Sequence, residues 1–218
     1  MKMILNSESE MVNRVEYGFL RGSKTSSRRN SAKKRAYLFI DGAYFRERVK
    51  DLWEMGGIRR DLRKDVERYA EYLRRLISKI KALKEIDLVG TLYYDAIVLA
   101  EKEPEKYKEQ KEYFDKLRSR LDQFEIKLGD LIKIDERYRQ KGVDALVAID
   151  MITKAYLNHY DVALLVAGDR DFVNIVKAVK EYTGKLVYRV CEKDRSKHTS
   201  KELIATFDQC YDINKLLQ

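Results

Sequence analysis

Apolar runs that stop at acids, separated by helix-length segments, constrain this chain most. Tyr37-Leu-Phe-Ile-Asp41-Gly42, Leu92-Tyr-Tyr-Asp95 and Leu164-Leu-Val-Ala-Gly168-Asp169-Arg170-Asp171 each read as a buried strand ending in a carboxylate. Lys141-Gly-Val-Asp144 sets a further acid at the start of a mainly apolar helix. Strands separated by helices need crossover connections, which build a mostly parallel sheet with helices packed on it. Ligands of such sheets bind outside the carboxyl ends of the strands. Acids converging there repel one another unless a cation lies between them. The pattern predicts a three-layer α/β/α fold with a divalent-metal site built from carboxylates.

The periodicity predicts strands at 36–40, 88–94, 125–134, 162–167 and 185–191, with a short sixth at 209–213. Helices are predicted at 43–53, 61–86, 104–124, 143–158, 171–182 and 199–206. The second of these is the clearest. Val66, Tyr69, Leu73, Leu76, Ile77, Ile80 and Leu83 recur at three- and four-residue steps, and Arg63, Lys64, Arg68, Arg74, Arg75, Lys79 and Lys81 make the other face basic.

A chain of 218 residues suits one domain with an appendage. Residues 1–34 lack a sustained period and read as a flexible basic arm, and 35–218 as the domain. The net charge is +9, and residues 1–36 hold nine Lys/Arg against three Glu. A basic chain with a compact acidic site suits an enzyme that holds a polyanion while chelating metal at one point. No apolar run reaches membrane-span length and no apolar leader opens the sequence, so a cytoplasmic protein with no membrane partner is expected. The two cysteines, Cys191 and Cys210, lack zinc spacing and fit a reducing compartment.

Each acid has a structural reading beside the functional one. Asp41, Asp169, Asp171 and Asp144 stand where a helix N-cap or first-turn acid would also stand. Gly42 reads as the residue that lets the chain turn sharply after Asp41. Asp150 lies six residues beyond Asp144, about 120° around the helix, so both cannot point at one ion. Asp150 therefore helps indirectly or pairs with a base, and Asp95, read as ending the second strand, is a ligand or a support behind the ligands. Asp135, read as ending the third strand, is expected far from the site if that strand lies at the sheet edge. Oxygen donors alone favour Mg²⁺ or Mn²⁺ over zinc. The two histidines, His159 and His198, have no catalytic spacing, and Walker, G-x-G-x-x-G and G-x-S-x-G motifs are absent.

Three segments resemble the NYN domain (LabA-like), a branch of the PIN-like ribonuclease superfamily: Phe39-Ile-Asp-Gly42, Lys141-Gly-Val-Asp-Ala-Leu-Val-Ala-Ile-Asp-Met151 and Val166-Ala-Gly-Asp-Arg-Asp-Phe-Val173. The resemblance runs from about 36 to 213. It implies a parallel sheet of order 3-2-1-4-5, with the first and fourth strands adjacent. It maps the family's metal-site acids onto Asp41, Asp144 and Asp169, with Asp171 in the same motif. Tyr44 stands where family members often carry Asn.

The expectation is a metal-dependent ribonuclease, a hydrolase that uses Asp41, Asp144, Asp169 and Asp171 as catalytic and metal residues with Mg²⁺ or Mn²⁺. Asp95 and Asp150 would support them. RNA would be met by Lys141, Arg170 and the arm residues Arg28, Arg29, Lys33 and Lys34, with the basic face of the second helix as a further track. The alternatives are an RNA-binding scaffold of the same fold that has lost cleavage, and a haloacid-dehalogenase-type phosphatase. The phosphatase is disfavoured because Ala43 and Val173 occupy positions where its chemistry wants acids. A homo-oligomer is compatible with the sequence, which is silent on protein partners.

Overall fold

The computed structural model describes residues 32–56, 65–192 and 206–218. Seven strands form one sheet: β1 (Lys34–Asp41), β2 (Ile86–Val98), β3 (Phe124–Ile134), β4 (Arg137–Lys141), β5 (Val162–Val166), β6 (Leu186–Cys191) and β7 (Gln209–Asp212). The helices described are α1 (Gly42–Met55), α2 (Val66–Lys81), α3 (Pro104–Arg118), α4 (Val143–Tyr156), α5 (Phe172–Thr183) and the five-residue α6 (Ile213–Leu217).

The α/β class and the mostly parallel sheet match the sequence reading. The strand order differs from 3-2-1-4-5: it is β4-β3-β2-β1-β5-β6-β7, in which β7 is the short sixth strand expected at 209–213 and β4 was not expected. The differences sit at the two edges. β7 joins β6 in parallel, and β4 folds back antiparallel on β3. The periodicity missed β4 because Arg137-Tyr-Arg-Gln-Lys141 is exposed at every position and carries no apolar alternation. A two-residue turn closes that hairpin, with φ of 47° at Asp135 and 63° at Glu136, as two-residue hairpin turns prefer. Asp135 is thus a turn residue, and the edge strand is β4 rather than β3.

Boundaries shift for local reasons. β1 starts at Lys34, whose N–H donates to the Glu85 carbonyl, so Lys34 belongs to the sheet. α2 stops at Lys81, and β2 is thirteen residues long, so Asp95 sits inside the strand, not at its end. The expected helix at 199–206 lies outside the described residues except for Thr206, as do residues 1–31 with Arg28 and Arg29, and Arg63 and Lys64.

Side chains alternate across the sheet and divide the core in two. Leu38, Ile40, Tyr93 and Val166 pack with α1 and α2 through Phe45, Trp53, Tyr69, Leu73 and Leu76. Phe39, Leu92, Leu165 and Val187 pack with α4 and α5 through Val147, Met151, Phe172 and Val176. Each large apolar side chain fully buried in this way contributes about 1.5–3 kcal/mol. Arg35 pins the base of the sheet. Its backbone N–H, Nε and Nη2 all donate to the Asp161 carboxylate just before β5, which holds that acid down at about 2. β1 is paired to both β2 and β5, so its carboxyl end lies at the centre of the sheet.

Candidate metal centre and cleft

Asp41 closes β1 and caps α1. Its Oδ1 accepts from the backbone N–H of Ala43 at 2.9 Å and of Tyr44 at 3.2 Å. Both bonds go to Oδ1, so Oδ2 has no protein partner among the described residues. Capping and function are therefore not rivals here: one oxygen orients the group and the other remains available. Burial, followed by the negative charge of Asp144, pushes the Asp41 carboxyl above its ordinary value against the two N–H donors.

Gly42 is required for a reason the sequence reading missed. Its φ is not left-handed. A Cβ there would lie 2.5 Å from Tyr93 Cζ and 2.7 Å from the Tyr94 carbonyl oxygen. The start of α1 packs directly on β2, and only a hydrogen fits. Gly142, by contrast, has φ of 82° and open space around it, so it serves as a left-handed joint between β4 and α4.

That joint sets Asp144 in the first turn of α4, where the side chain is exposed and makes no hydrogen bond or ion pair among the described residues. Partial loss of water around the carboxyl, and then the charges of Asp169 and Asp171, raise it above the ordinary value. Asp169 follows β5, and its Oδ1 accepts from the Asp171 N–H at 3.1 Å. Asp171 stands at the N-cap of α5 without making a side-chain capping bond. Asp144 is thus coupled electrostatically to Asp41, Asp169 and Asp171.

Asp95 and Asp150 are held by charged and polar side chains. Asp95 is 1% exposed and forms a buried ion pair with Arg46 of α1. It also accepts from Tyr93 Oη at 3.1 Å and Gln140 Nε2 at 3.3 Å. Asp150 accepts from Lys127 Nζ at 2.7 Å and from Tyr94 Oη at 2.9 Å. Asp150 therefore pairs with a base, as one of the two sequence readings had it, and Asp95 is a structural anion at the α1–β2 contact. Arg46, which has no motif around it, is the missed partner.

A cleft of about 390 Å³ opens at the same end of the sheet, lined among others by Asp41, Tyr44, Gly168, Asp169, Arg189 and Glu192. Tyr44 forms a wall. Its ring excludes any Cβ at Gly168, which would lie 2.6 Å away, and its hydroxyl accepts from the Glu192 N–H at 3.1 Å. Arg189 is 4% exposed, and its only signal in the sequence is a single charge inside an apolar strand. Of the expected RNA contacts, Lys141 is exposed at the end of β4, Arg170 is exposed before α5, and Lys33 and Lys34 are exposed at the start of β1. The basic face of α2 is partly absorbed by structure. Arg68 lies over the Trp53 ring at 5.5 Å, and Arg75 donates to the Leu217 carbonyl at 2.8 Å.

A metal must be tested against these acids. The donors are carboxylate oxygens, the set that Mg²⁺ and Mn²⁺ prefer. Burial is the main reason the Asp41 and Asp144 carboxyls are raised, and repulsion between Asp144 and Asp41, Asp169 and Asp171, which a cation would relieve, adds to it. Among the described residues, no three acidic, histidine or cysteine side chains are grouped tightly enough to enclose an ion. The donor chemistry fits a hard divalent cation, and the carboxylates would have to close around it.

A parallel α/β sheet with acids facing one another at its switch point defines a class of proteins that handle ligands at the strand ends. Comparison with known proteins narrows that class. The NYN domain family model matches residues 35–214, and the chain belongs to that family, whose fold is of the PIN-like nuclease kind. A solved structure of a protein of unknown function from Vibrio parahaemolyticus is similar, with a TM-score of 0.56 and 20% identity over 85% of this chain and 96% of that one. That likeness supports the fold alone. No curated protein matches. No helix among the described residues is long and apolar enough to cross a membrane.

Proposed function

We propose that this protein is a metal-dependent ribonuclease acting at Asp41, Asp144, Asp169 and Asp171. The observation that carries the reading is that Asp41, Asp144, Asp169 and Asp171, none with an ion-pair partner among the described residues, come near enough to one another for Asp144 to feel the charge of the other three, in a chain of the NYN family. Asp41, Asp144 and Asp169 would hold Mg²⁺ or Mn²⁺, and Asp171 would complete the set. Such an ion, when bound, polarises a phosphoryl oxygen and lowers the pKa of water. The chain's own groups do the rest. The Ala43 and Tyr44 N–H groups fix the Asp41 carboxylate, and the Asp171 N–H fixes Asp169. Tyr44 walls one side of the cleft.

RNA is the substrate this reading implies. Arg137, Arg139 and Lys141 alternate along β4 and so share one face, while Tyr138 and Gln140 bond to Glu103 and Asp95 from the other. The three cations have no hydrogen bond or ion pair among the described residues. They lead through Gly142 to Asp144, which suits a track for a phosphate backbone.

The second reading, an RNA-binding protein without cleavage, is favoured by the open spacing of the acids and by Tyr44. Labelled single- and double-stranded RNA and DNA, incubated with Mg²⁺, Mn²⁺ or EDTA, separate the two. The nuclease reading expects RNA cleavage that needs metal. RNA binding with no cleavage in any metal would establish the scaffold.

A further inference from the structure

Two arginines line the cleft, and among the described residues they differ in their partners. Arg48 is 6% exposed and bonds Glu192 at 2.6 Å and Asp51 at 3.0 Å. Arg46 is paired with Asp95. Arg189 is as deeply buried as Arg48, yet among the described residues it has no hydrogen bond and no ion pair. The Phe207 ring covers one face of its guanidinium, with Cζ 5.6 Å from the ring centroid. A ring holds a guanidinium in place but leaves its N–H edge unanswered. A buried cation without an anion is costly, and a fold tolerates one where a ligand supplies the missing charge.

Arg189 also lines the cleft that contains Asp41 and Asp169, and its charge acts on the Tyr44 hydroxyl across that cleft. β6 is hydrogen-bonded to β5, with Arg189 opposite Leu165, so Arg189 lies one strand further out than Asp169 and four residues back from it along the sheet, and its side chain reaches the cleft from below. Asp144 lies in the other direction, beyond β1, and does not line this cleft.

We propose that Arg189 is the seat of a phosphate subsite. It holds, in its planar fork, the phosphate of the substrate strand next to the one that meets the carboxylates. A guanidinium suits this task because its paired N–H donors match two phosphate oxygens. The Gly168 backbone beneath the Tyr44 ring keeps the path between the two phosphates narrow. The identity of the strand rests on the ribonuclease reading; the phosphate site itself does not. The bound group is a terminal 5′-phosphate or an internal phosphodiester, which share this chemistry.

The test uses the full chain in EDTA, where no cleavage occurs. Binding of inorganic phosphate and of short single-stranded RNA, with either a 5′-phosphate or a 5′-hydroxyl, is measured by calorimetry for wild type, Arg189→Met and Arg189→Lys. Phosphate and oligonucleotide affinity should fall about tenfold or more in Arg189→Met and be partly kept in Arg189→Lys. Selective loss for the 5′-phosphorylated strand assigns the terminal group, and equal loss for both strands assigns the phosphodiester. Arg189→Met should melt at or above the wild-type temperature, since it removes a buried unpaired charge. Unchanged phosphate and RNA affinity in Arg189→Met, or a marked fall in its melting temperature, would overturn the proposal. Loss of phosphate binding together with no metal-dependent cleavage by wild type would keep the subsite and remove the ribonuclease.

Discussion

Two sets of aspartates lie near one end of this sheet, and they differ in what faces them. Asp95 and Asp150 are answered by protein: Arg46, Tyr93 and Gln140 for the first, Lys127 and Tyr94 for the second. Asp41, Asp144, Asp169 and Asp171 meet backbone N–H groups or nothing, and the charges nearest to Asp144 are other acids. An acid with a fixed cationic partner is part of the fold. One left among its own kind destabilises the empty fold and is explained by what it binds. The same contrast holds between Arg46 and Arg48, which are paired, and Arg189, which has no ion-pair partner among the described residues.

Substitution should separate the two sets. The largest effect is expected on cleavage: Asp41→Asn or Asp169→Asn should lower turnover of single-stranded RNA by about 100-fold or more, since each removes several kcal/mol of charge stabilisation. Asn keeps an oxygen at the Asp41 cap, so in EDTA both variants should melt at or above the wild-type temperature. Wild-type turnover in either would move these acids into the structural set. Asp95→Asn should behave in the opposite way. It strands the Arg46 charge against a buried amide and should cost about 3–5 kcal/mol in a denaturant titration. A loss under 1 kcal/mol would show that Arg46 finds another partner.

Gly42→Ala comes next, at about 1–3 kcal/mol, because its methyl group meets the Tyr93 ring and a backbone carbonyl that cannot both retreat. A neutral result in chemical denaturation would mean that α1 shifts freely on β2.

The smallest effect is a pH dependence. The Asp144 carboxyl is raised in the folded state, so it contributes relative stability below its unfolded value of 3.8, and that is lost as pH rises through the folded value. In EDTA, Asp144→Asn should therefore be more stable than wild type at neutral pH. The gap should close as pH falls toward the unfolded value. A gap that widens on acidification would reverse the sign of the coupling to Asp169 and Asp171.

The sequence made the α/β class legible because buried strands leave unbroken apolar runs, as at Leu38–Ile40 and Leu164–Val166. The strand-end acids were legible for the same reason: each interrupts such a run. β4 was not, since an edge strand exposed on both faces has no burial to pattern it, and its turn, Asp135-Glu136, lacks the glycine that marks most two-residue hairpins. Asp95 was misplaced as a strand end because β2 runs on through Ala96–Val98 beyond it, and its partner Arg46 comes from a different element. Arg189 was invisible as a ligand-facing group: a lone arginine in a strand is read as an exception until its neighbours are known. Gly42 was marked as special, but for a turn rather than for the close approach of Tyr93.

The most direct measurement is metal binding by the folded chain. Adding Mn²⁺ to wild type should raise the melting temperature, because the ion binds the native state alone. The same increment should persist in Asp150→Asn, whose carboxylate is already held by Lys127, and should shrink or vanish in Asp144→Asn. No increment in wild type, or equal loss in the two variants, would contradict the division of the aspartates into a structural set and a metal-binding set.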